Sequence, residues 1–314
     1  MEREPRGHLP EPREAEPWTS LHRAAMPAGE AWGDGGSVIR EVAYASPPGF
    51  RPLLLDLYLP ARRPYPAVVW VHGGAFLMGS RSLLPGILDR AELFRRLPAE
   101  GIAVASIDYR LSSEAHFPAQ LHDVKAAIRW LRVRGSEAGI DPDRLAVWGE
   151  SAGGHLAAMA TVTSGVEDLE GDIGMAGVPS LVTAGIDWYG PTDFAAMDQD
   201  APSDSAMTHD APDSPESLLI GAPVQERPDL VARANPCTYV RQGTPPLLIQ
   251  HGTRDRLVPF GQSVRLAEAL RAAGADVSFL PEEGLDHVFD GATDEMRILG
   301  MALAFLREHL LVND

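Results

Sequence analysis

Arg144-Leu145-Ala146-Val147-Trp148-Gly149-Glu150-Ser151-Ala152-Gly153-Gly154-His155-Leu156-Ala157-Ala158-Met159-Ala160 is the stretch whose reading decides the fold. It opens on an apolar, β-rich run and closes on good helix formers. Between them Ser151 stands in the G-x-S-x-G spacing of a nucleophile elbow, a strand-to-helix turn so tight that the serine hydroxyl is pushed out into solvent. The helix that follows aims its free N–H groups at the same spot, where they favour developing negative charge. G-x-S-x-G alone also describes a flexible turn. The flanking strand and helix are what make Ser151 a candidate nucleophile.

Outward from the elbow the chain alternates. Val38–Tyr44 and Leu53–Leu59 read as strands joined by the Pro47-Pro48-Gly49 turn, and Pro66–Val71 and Ile102–Ile107 as buried strands. A helix is expected from about Pro118 to Arg134, with Leu121, Val124, Ile128 and Leu131 on one face. Ala184–Tyr189, Pro246–Gln250 and Val277–Leu280 follow as strands. Helices are expected over about Gln262–Ala273, closed by Gly274, and Asp294–Leu310. This order predicts an α/β protein: a mostly parallel central sheet of about eight strands with helices on both faces. Two segments stand apart. Residues 1–36 are rich in Pro, Glu and Arg and read as an N-terminal arm, partly disordered or capping, with Trp18 and Trp32 as its anchors. The stretch at about 194–236 breaks the alternation, with short helices around Pro215–Ile220 and Arg227–Ala234. It reads either as a lid or wall over a site in the domain at 37–314, or as a surface excursion.

A serine hydroxyl needs a base, an orienting acid and donors for an oxyanion. His72-Gly73-Gly74-Ala75-Phe76 directly follows a predicted strand, and its glycines let backbone N–H groups approach a ligand closely. Asp255 lies on the loop after the strand ending at Gln250, and His287 on the loop after the last strand, giving the order Ser, Asp, His. Other histidines compete. His155 falls in the helix after the elbow and points away; His72 and His251 brace their turns; His116 and His122 pack. Asp286 is adjacent to His287, and a sequence neighbour rarely reaches its own histidine ring in line.

The 314-residue chain carries a formal charge of −17, and no Lys or Arg occurs between Leu145 and Glu226 against 14 acidic residues. That excludes a basic footprint for nucleic acid. The acidic stretch reads as a solvated face, or as a field that disfavours anionic substrates. No apolar run is long enough to span a bilayer, nothing resembles a signal peptide, and the lone Cys237 excludes an intrachain disulfide. The expectation is a cytoplasmic protein without a membrane partner. No Cys/His cluster or phosphate loop implies a metal or organic cofactor.

Together these segments resemble the α/β-hydrolase superfamily, specifically the hormone-sensitive-lipase-like carboxylesterases, over about residues 38–312. Asp108-Tyr109-Arg110-Leu111, Phe117-Pro118-Ala119 and Asp123 share the likeness as core buttresses, and Trp188-Tyr189-Gly190-Pro191-Thr192-Asp193-Phe194 is most similar to the bifunctional feruloyl and acetyl-xylan esterase-like branch. The resemblance implies an α/β-hydrolase fold and a serine carboxylesterase for small to medium esters. It makes Ser151 the nucleophile, His287 the base and then the acid, and Asp255 its orienter, with the N–H groups of Gly74, Ala75 and Ala152 as oxyanion donors. Two departures are Ala75, where many members have a third glycine, and Glu150, where Asp is frequent. The family's N-terminal cap helices are not evident in residues 1–36.

Amide or formamide hydrolysis, or peptidase action, would use the same triad, and a non-catalytic binding module would lack the base that His287 supplies. Phe76, Trp188, Tyr189 and Phe289 either line an acyl or aryl pocket or belong to the core. Exposed sheet edges allow a homodimer. A histidine base predicts loss of activity below pH roughly 6 to 7.

Overall fold

The computed structural model describes residues 21–33, 35–86 and 90–311; Trp18 lies outside them. Among the described residues the strands are β1 (Glu30–Trp32), β2 (Gly36–Ala45), β3 (Leu53–Leu59), β4 (Tyr65–Val71), β5 (Ala103–Ile107), β6 (Ile140–Glu150), β7 (Ala184–Trp188), β8 (Leu247–Gly252) and β9 (Val277–Glu282). They form one sheet in the order β1-β2-β3-β5-β4-β6-β7-β8-β9. β1, β2, β3 and β5 pair antiparallel, and all pairs from β5 to β9 are parallel.

Burial follows from the sequence. β4 is buried at every position, and its successive side chains serve opposite faces: Ala67, Val69 and Val71 join one core cluster, Val68 and Trp70 the other. The helices are α1 (Arg90–Ala99), α2 (Ala119–Ala138), α3 (Ala152–Val162), α4 (Glu167–Glu170), α5 (Met197–Asp200), α6 (Pro215–Ile220), α7 (Pro228–Ala234), α8 (Gly261–Ala272) and α9 (Glu295–Leu310). α2 and α3 cover the first face, with the expected stripe Leu121, Val124, Ile128 and Leu131 buried. α1 and α9 cover the second through Leu93, Phe94, Leu97, Leu299 and Leu306. Among the described residues, no helix is long and apolar enough to cross a membrane.

Three elements depart from expectation. The sheet has nine strands, because Glu30–Trp32, inside the stretch read as an arm, pairs with β2 at the edge. Three residues beside glycines are too few for a period-2 signal. Trp32 fixes this edge by packing on Tyr58 at 5.4 Å between ring centroids. α1 escaped because only Leu93, Phe94 and Leu97 mark its face and Pro98 sits in its last turn. α2 runs past Arg134 to Ala138 and stops where Gly139 adopts φ 93°.

Charged buttresses hold the loops above the sheet. Arg110 donates to both oxygens of the fully buried Asp123, at 2.6 and 2.9 Å, and Arg81 bridges Asp56 and Asp108. Burial pushes the Asp123 carboxyl up to about 6 despite Arg110.

Gly153, at the start of α3, packs backbone to backbone against the end of β4, and an added Cβ would stand 2.1 Å from the Val71 carbonyl oxygen. Gly153→Ala is expected to destabilise by about 2–4 kcal/mol. Gly300→Ala in α9, where a Cβ meets nothing within 4 Å, should be neutral or stabilise by up to about 1 kcal/mol. Urea unfolding of the two variants checks the contrast.

Candidate active site

Ser151 joins β6 to α3 with φ 52° and ψ −121°, a conformation costing about 1–3 kcal/mol for a residue with a side chain. The bare backbone around it permits the turn: a Cβ on Gly149 would stand 2.0 Å from the Gly153 carbonyl oxygen. The Ser151 N–H donates to Trp188 O at 2.8 Å, and the His155 N–H donates to Ser151 O at 3.1 Å. These bonds tie the elbow to β7 and to α3. Ser151 is only 8% exposed, so the hydroxyl faces a covered site, not bulk solvent as the motif suggested.

The loop after β4 lies beside it. The Gly73 N–H donates to Glu150 Oε1 at 2.7 Å. His72 donates from Nδ1 to Gly73 O at 2.7 Å and stacks on Tyr109 at 4.3 Å. Burial pulls its pKa down to about 4, which suits the bracing role expected of it. Gly74, Ala75 and Phe76 all have positive φ (107°, 55° and 60°), so Ala75 holds a left-handed backbone where a glycine would be unstrained. Among the described residues, no turn or loop hydrogen bond engages the N–H of Gly74, Ala75 or Ala152. Such donors can hold a developing oxyanion.

The structure brings Ser151, His287 and Asp255 into one line. His287 Nε2 stands 3.1 Å from Ser151 Oγ, and His287 Nδ1 stands 2.7 Å from Asp255 Oδ2. Asp255 is an acceptor, so Nδ1 carries the hydrogen and Nε2 offers its lone pair to the serine hydroxyl. Leu257 and Val258 each donate a backbone N–H to Asp255 Oδ1 at 2.8 Å. Burial pushes the Asp255 carboxyl up, but hydrogen bonds from His251 and His287 outweigh it and hold the group well below the usual range.

The competitors fall away on geometry. His155 donates to or accepts from nothing near Ser151 Oγ; its Nδ1 bonds Pro191 O at 2.8 Å, and burial pulls its pKa down to about 4. His116 bonds Leu218 O, and burial likewise lowers His122. Asp286 accepts from the His287 N–H at 2.8 Å and pairs with Arg256, which shapes the turn carrying His287.

A cavity of about 30 Å³ adjoins Ser151, Ala152, Ala75 and Phe76. The insertion at 194–236 walls it with Met207, His209, Pro215 and Glu216; Pro191, Leu257 and Val258 complete it. His209 Nδ1 stands 3.1 Å from Glu216 Oε2, and His209 Nε2 stands 3.0 Å from Leu257 O. No motif marked the wall residues of the insertion; Pro191 falls in the Trp188–Phe194 stretch, and Leu257 and Val258, next to Asp255, carried a positional hint. On the His287 side a cleft of about 540 Å³ is bordered by Arg256, Asp286, Asp290 and Glu295.

Of the four aromatics considered for a pocket, Phe76 reaches the small cavity and Phe289 borders the cleft, though its side chain is fully buried. Trp188 and Tyr189 do not line the cavity. Trp188 ends β7 on the face opposite α3, packed on Trp148 at 4.8 Å, with Nε1 donating to Gln250. Tyr189 is fully buried against the edge of the His287 ring at 4.9 Å. Strand alternation points Trp188, the last residue of β7, into the core, and Tyr189, just past the strand with φ 45°, turns into the same cluster.

Comparison with known proteins adds to the geometry. The BD-FAE family model matches residues 55–270. Esterase LipC of Mycobacterium tuberculosis is 32% identical over 256 residues, 80% of this chain and 60% of LipC. Esterase LipQ of the same organism is 31% identical, over 82% of this chain and 59% of LipQ. The chain thus spans about 60% of the length of these curated relatives. Among solved structures, a truncated carbohydrate esterase from gut microbiota superposes with a TM-score of 0.77 at 33% identity, over 91% of this chain and all (100%) of that one. Est2 of Thermogutta terrifontis with propionate bound gives 0.67 at 28% identity, over 90% and 97%.

Glu150, one residue before Ser151, is 4% exposed, and burial pushes its carboxyl above the usual value even though His287 and the Gly73 N–H pull it down. An acid whose folded pKa is raised costs stability once it ionises; the cost is absent below its unfolded value of about 4.3. Glu150→Gln keeps an acceptor for Gly73 and removes that cost. Its melting temperature should exceed wild type at pH 8, and the difference should shrink towards nothing near pH 4. Melting curves across that range check the sign.

Proposed function

The chain belongs to the BD-FAE family of α/β-hydrolases, and on that premise we propose that it is a serine carboxylesterase working through an acyl-enzyme. The observation that carries the proposal is the line Ser151 Oγ–His287 Nε2 (3.1 Å) and His287 Nδ1–Asp255 Oδ2 (2.7 Å), beside the N–H groups of Gly74, Ala75 and Ala152, which no turn or loop hydrogen bond engages among the described residues.

In the proposed cycle His287 Nε2 takes the Ser151 proton as Oγ attacks the ester carbonyl carbon. The carbonyl π pair moves onto oxygen, and the N–H groups of Gly74, Ala75 and Ala152 hold the oxyanion; losing one such donor typically costs about 100- to 1000-fold. As the tetrahedral species collapses, His287 passes its proton to the departing alcohol oxygen. Water then attacks the acyl-enzyme, giving a proton to His287, and as the second tetrahedral species collapses His287 returns that proton to Ser151 Oγ while the acid leaves. Asp255 stays a carboxylate throughout and keeps the ring turned.

The leaving oxygen has to lie near His287 Nε2, so the alcohol faces the wide cleft and the acyl chain faces the small cavity. A space of about 30 Å³ admits a short acyl group. The cleft's Arg256, Asp286, Asp290 and Glu295 suit a polar alcohol. The propionate-bound and butyrate-bound structures of the Thermogutta terrifontis esterase and the carbohydrate esterase from gut microbiota support the same substrate class, short-chain esters of polar alcohols.

The test is hydrolysis of p-nitrophenyl esters from acetyl to decanoyl. Acetyl to butyryl should turn over best, with octanoyl and decanoyl slower by about 100-fold or more, and Ser151→Ala should lose at least about four orders of magnitude in kcat. Absence of wild-type turnover, or activity surviving in Ser151→Ala, would overturn the reading. Met207→Ala, which shortens a wall side chain, should move the chain-length optimum upward by about two carbons, or roughly 1–2 kcal/mol of added acyl burial; an unmoved optimum would sink the acyl assignment of that cavity.

A further inference from the structure

Asp255 has one neighbour that the triad alone does not require. A carboxylate oxygen has two in-plane acceptor sites. At Oδ1 both are taken by backbone, from Leu257 and Val258. At Oδ2 one takes His287 Nδ1–H at 2.7 Å, and the other faces His251 Nε2 at 3.1 Å.

We infer that His251 is a positioning residue for the catalytic line, holding Asp255 Oδ2 through its Nε2–H while Ser263 holds His251 in turn. The kinetic consequence rests on the esterase reading above; the geometry does not. Nε2 of His251 also faces Val258 O at 3.0 Å. Both its neighbours are acceptors, so that nitrogen carries a hydrogen and shares it between them. Nδ1 faces Ser263 Oγ at 2.7 Å, which leaves it to receive the hydroxyl hydrogen. The ring is fully buried, with its edge to Phe260 at 5.7 Å and to Tyr189 at 6.4 Å between centroids. Tyr189 in turn packs edge-on to His287 at 4.9 Å.

The result is a line of five side chains: Ser263 in the first turn of α8, His251 in β8, Asp255, His287 and Ser151. With all four acceptor sites filled, the Asp255 carboxylate cannot turn about its Cβ–Cγ bond without breaking hydrogen bonds in a dry site. Its orientation towards His287 Nδ1 is thereby fixed. The second donor on Oδ2 also makes that oxygen less basic, so the shared hydrogen stays on His287 Nδ1 and Nε2 keeps its lone pair for the Ser151 hydroxyl.

Two isosteres separate this role from mere packing. The Gln amide nitrogen reaches about the position of Nε2, the Asn amide nitrogen about that of Nδ1. His251→Gln therefore keeps the donor to Asp255, whereas His251→Asn loses it. On a p-nitrophenyl acetate assay, His251→Gln should keep kcat within about threefold, and His251→Asn should lose about 10- to 100-fold in kcat with KM within about twofold. The strongly deshielded proton between His287 Nδ1 and Asp255, read by NMR in the uninhibited enzyme, should persist in the Gln variant and shift or vanish in the Asn variant. Equal kcat in the two variants, or a loss seen in KM alone, overturns the inference. Should His251→Asn not fold, Ser263→Ala decides: a kcat loss of a few-fold with a shifted proton supports it, and wild-type values of both overturn it. Should wild type hydrolyse no ester, the esterase reading fails, while the proton resonance still tests the positioning.

Discussion

The constraint on which this structure depends is the contact of one bare backbone with another. Gly153, at the start of α3, lies so close to the carbonyls of Val71 and His72 that no Cβ fits between them. That approach sets how near the end of β4 comes to the first turn after Ser151. It follows from the parallel pairing of β4 with β6, in which Val71 stands opposite Gly149. The donors of Gly74 and Ala75 come from one strand end and that of Ala152 from the other, so a single contact gathers them. The Glu150 carboxylate reinforces it through the Gly73 N–H, at the expense of keeping an acid group buried. The site thus lies outside the carboxyl ends of parallel strands, where open α/β sheets place their crevices.

The insertion is fastened to the same frame by the loop that carries Asp255. The Ala206 N–H donates to Arg256 O at 2.8 Å, and His209 reaches Leu257 O. Burial works against a charged His209, but the hydrogen bond and charge of Glu216 outweigh it and raise its pKa. Asp198 receives the N–H groups of His209 and Asp210 and fixes the same stretch from the other side. The cavity wall and the candidate acid are therefore held by adjacent residues, 255 to 258, and a change in one is felt by the other.

Much of this was readable from residues. Buried strands such as Leu53–Leu59 announce themselves because both sheet faces are covered, and the elbow and the loop at His72 announce themselves because glycine is required there. Asp255 and His287 followed from strand order. What stayed hidden depends on contacts distant in sequence. His209 and Glu216 are unremarkable in an acid-rich segment until folding closes them over Ser151. That segment, read as a solvated face or as a field that disfavours anionic substrates, also holds buried carboxylates at Glu150, Asp187 and Glu216, each bound to backbone or side chain where no charge count could place it. Trp188 and Tyr189 look like pocket aromatics beside a glycine-proline turn, yet the end of β7 commits Trp188 to the core and the left-handed backbone of Tyr189 turns it into the same cluster. β1 lacked the length to show any period at all.

The small cavity at Ser151 and the wide cleft on the His287 side are unequal, and in the proposed cycle the inequality governs traffic. The acyl group of that cycle takes the small one. On that proposal, whatever attacks the acyl-enzyme arrives through the cleft at Arg256 and Asp286, the opening by which the alcohol departs. Water and alcohol are thus successive tenants of one site in the proposed cycle. The fate of the acyl group, released as free acid or handed back to a hydroxyl compound, is a contest of occupancy in that cleft, and the polarity of its rim weights the outcome.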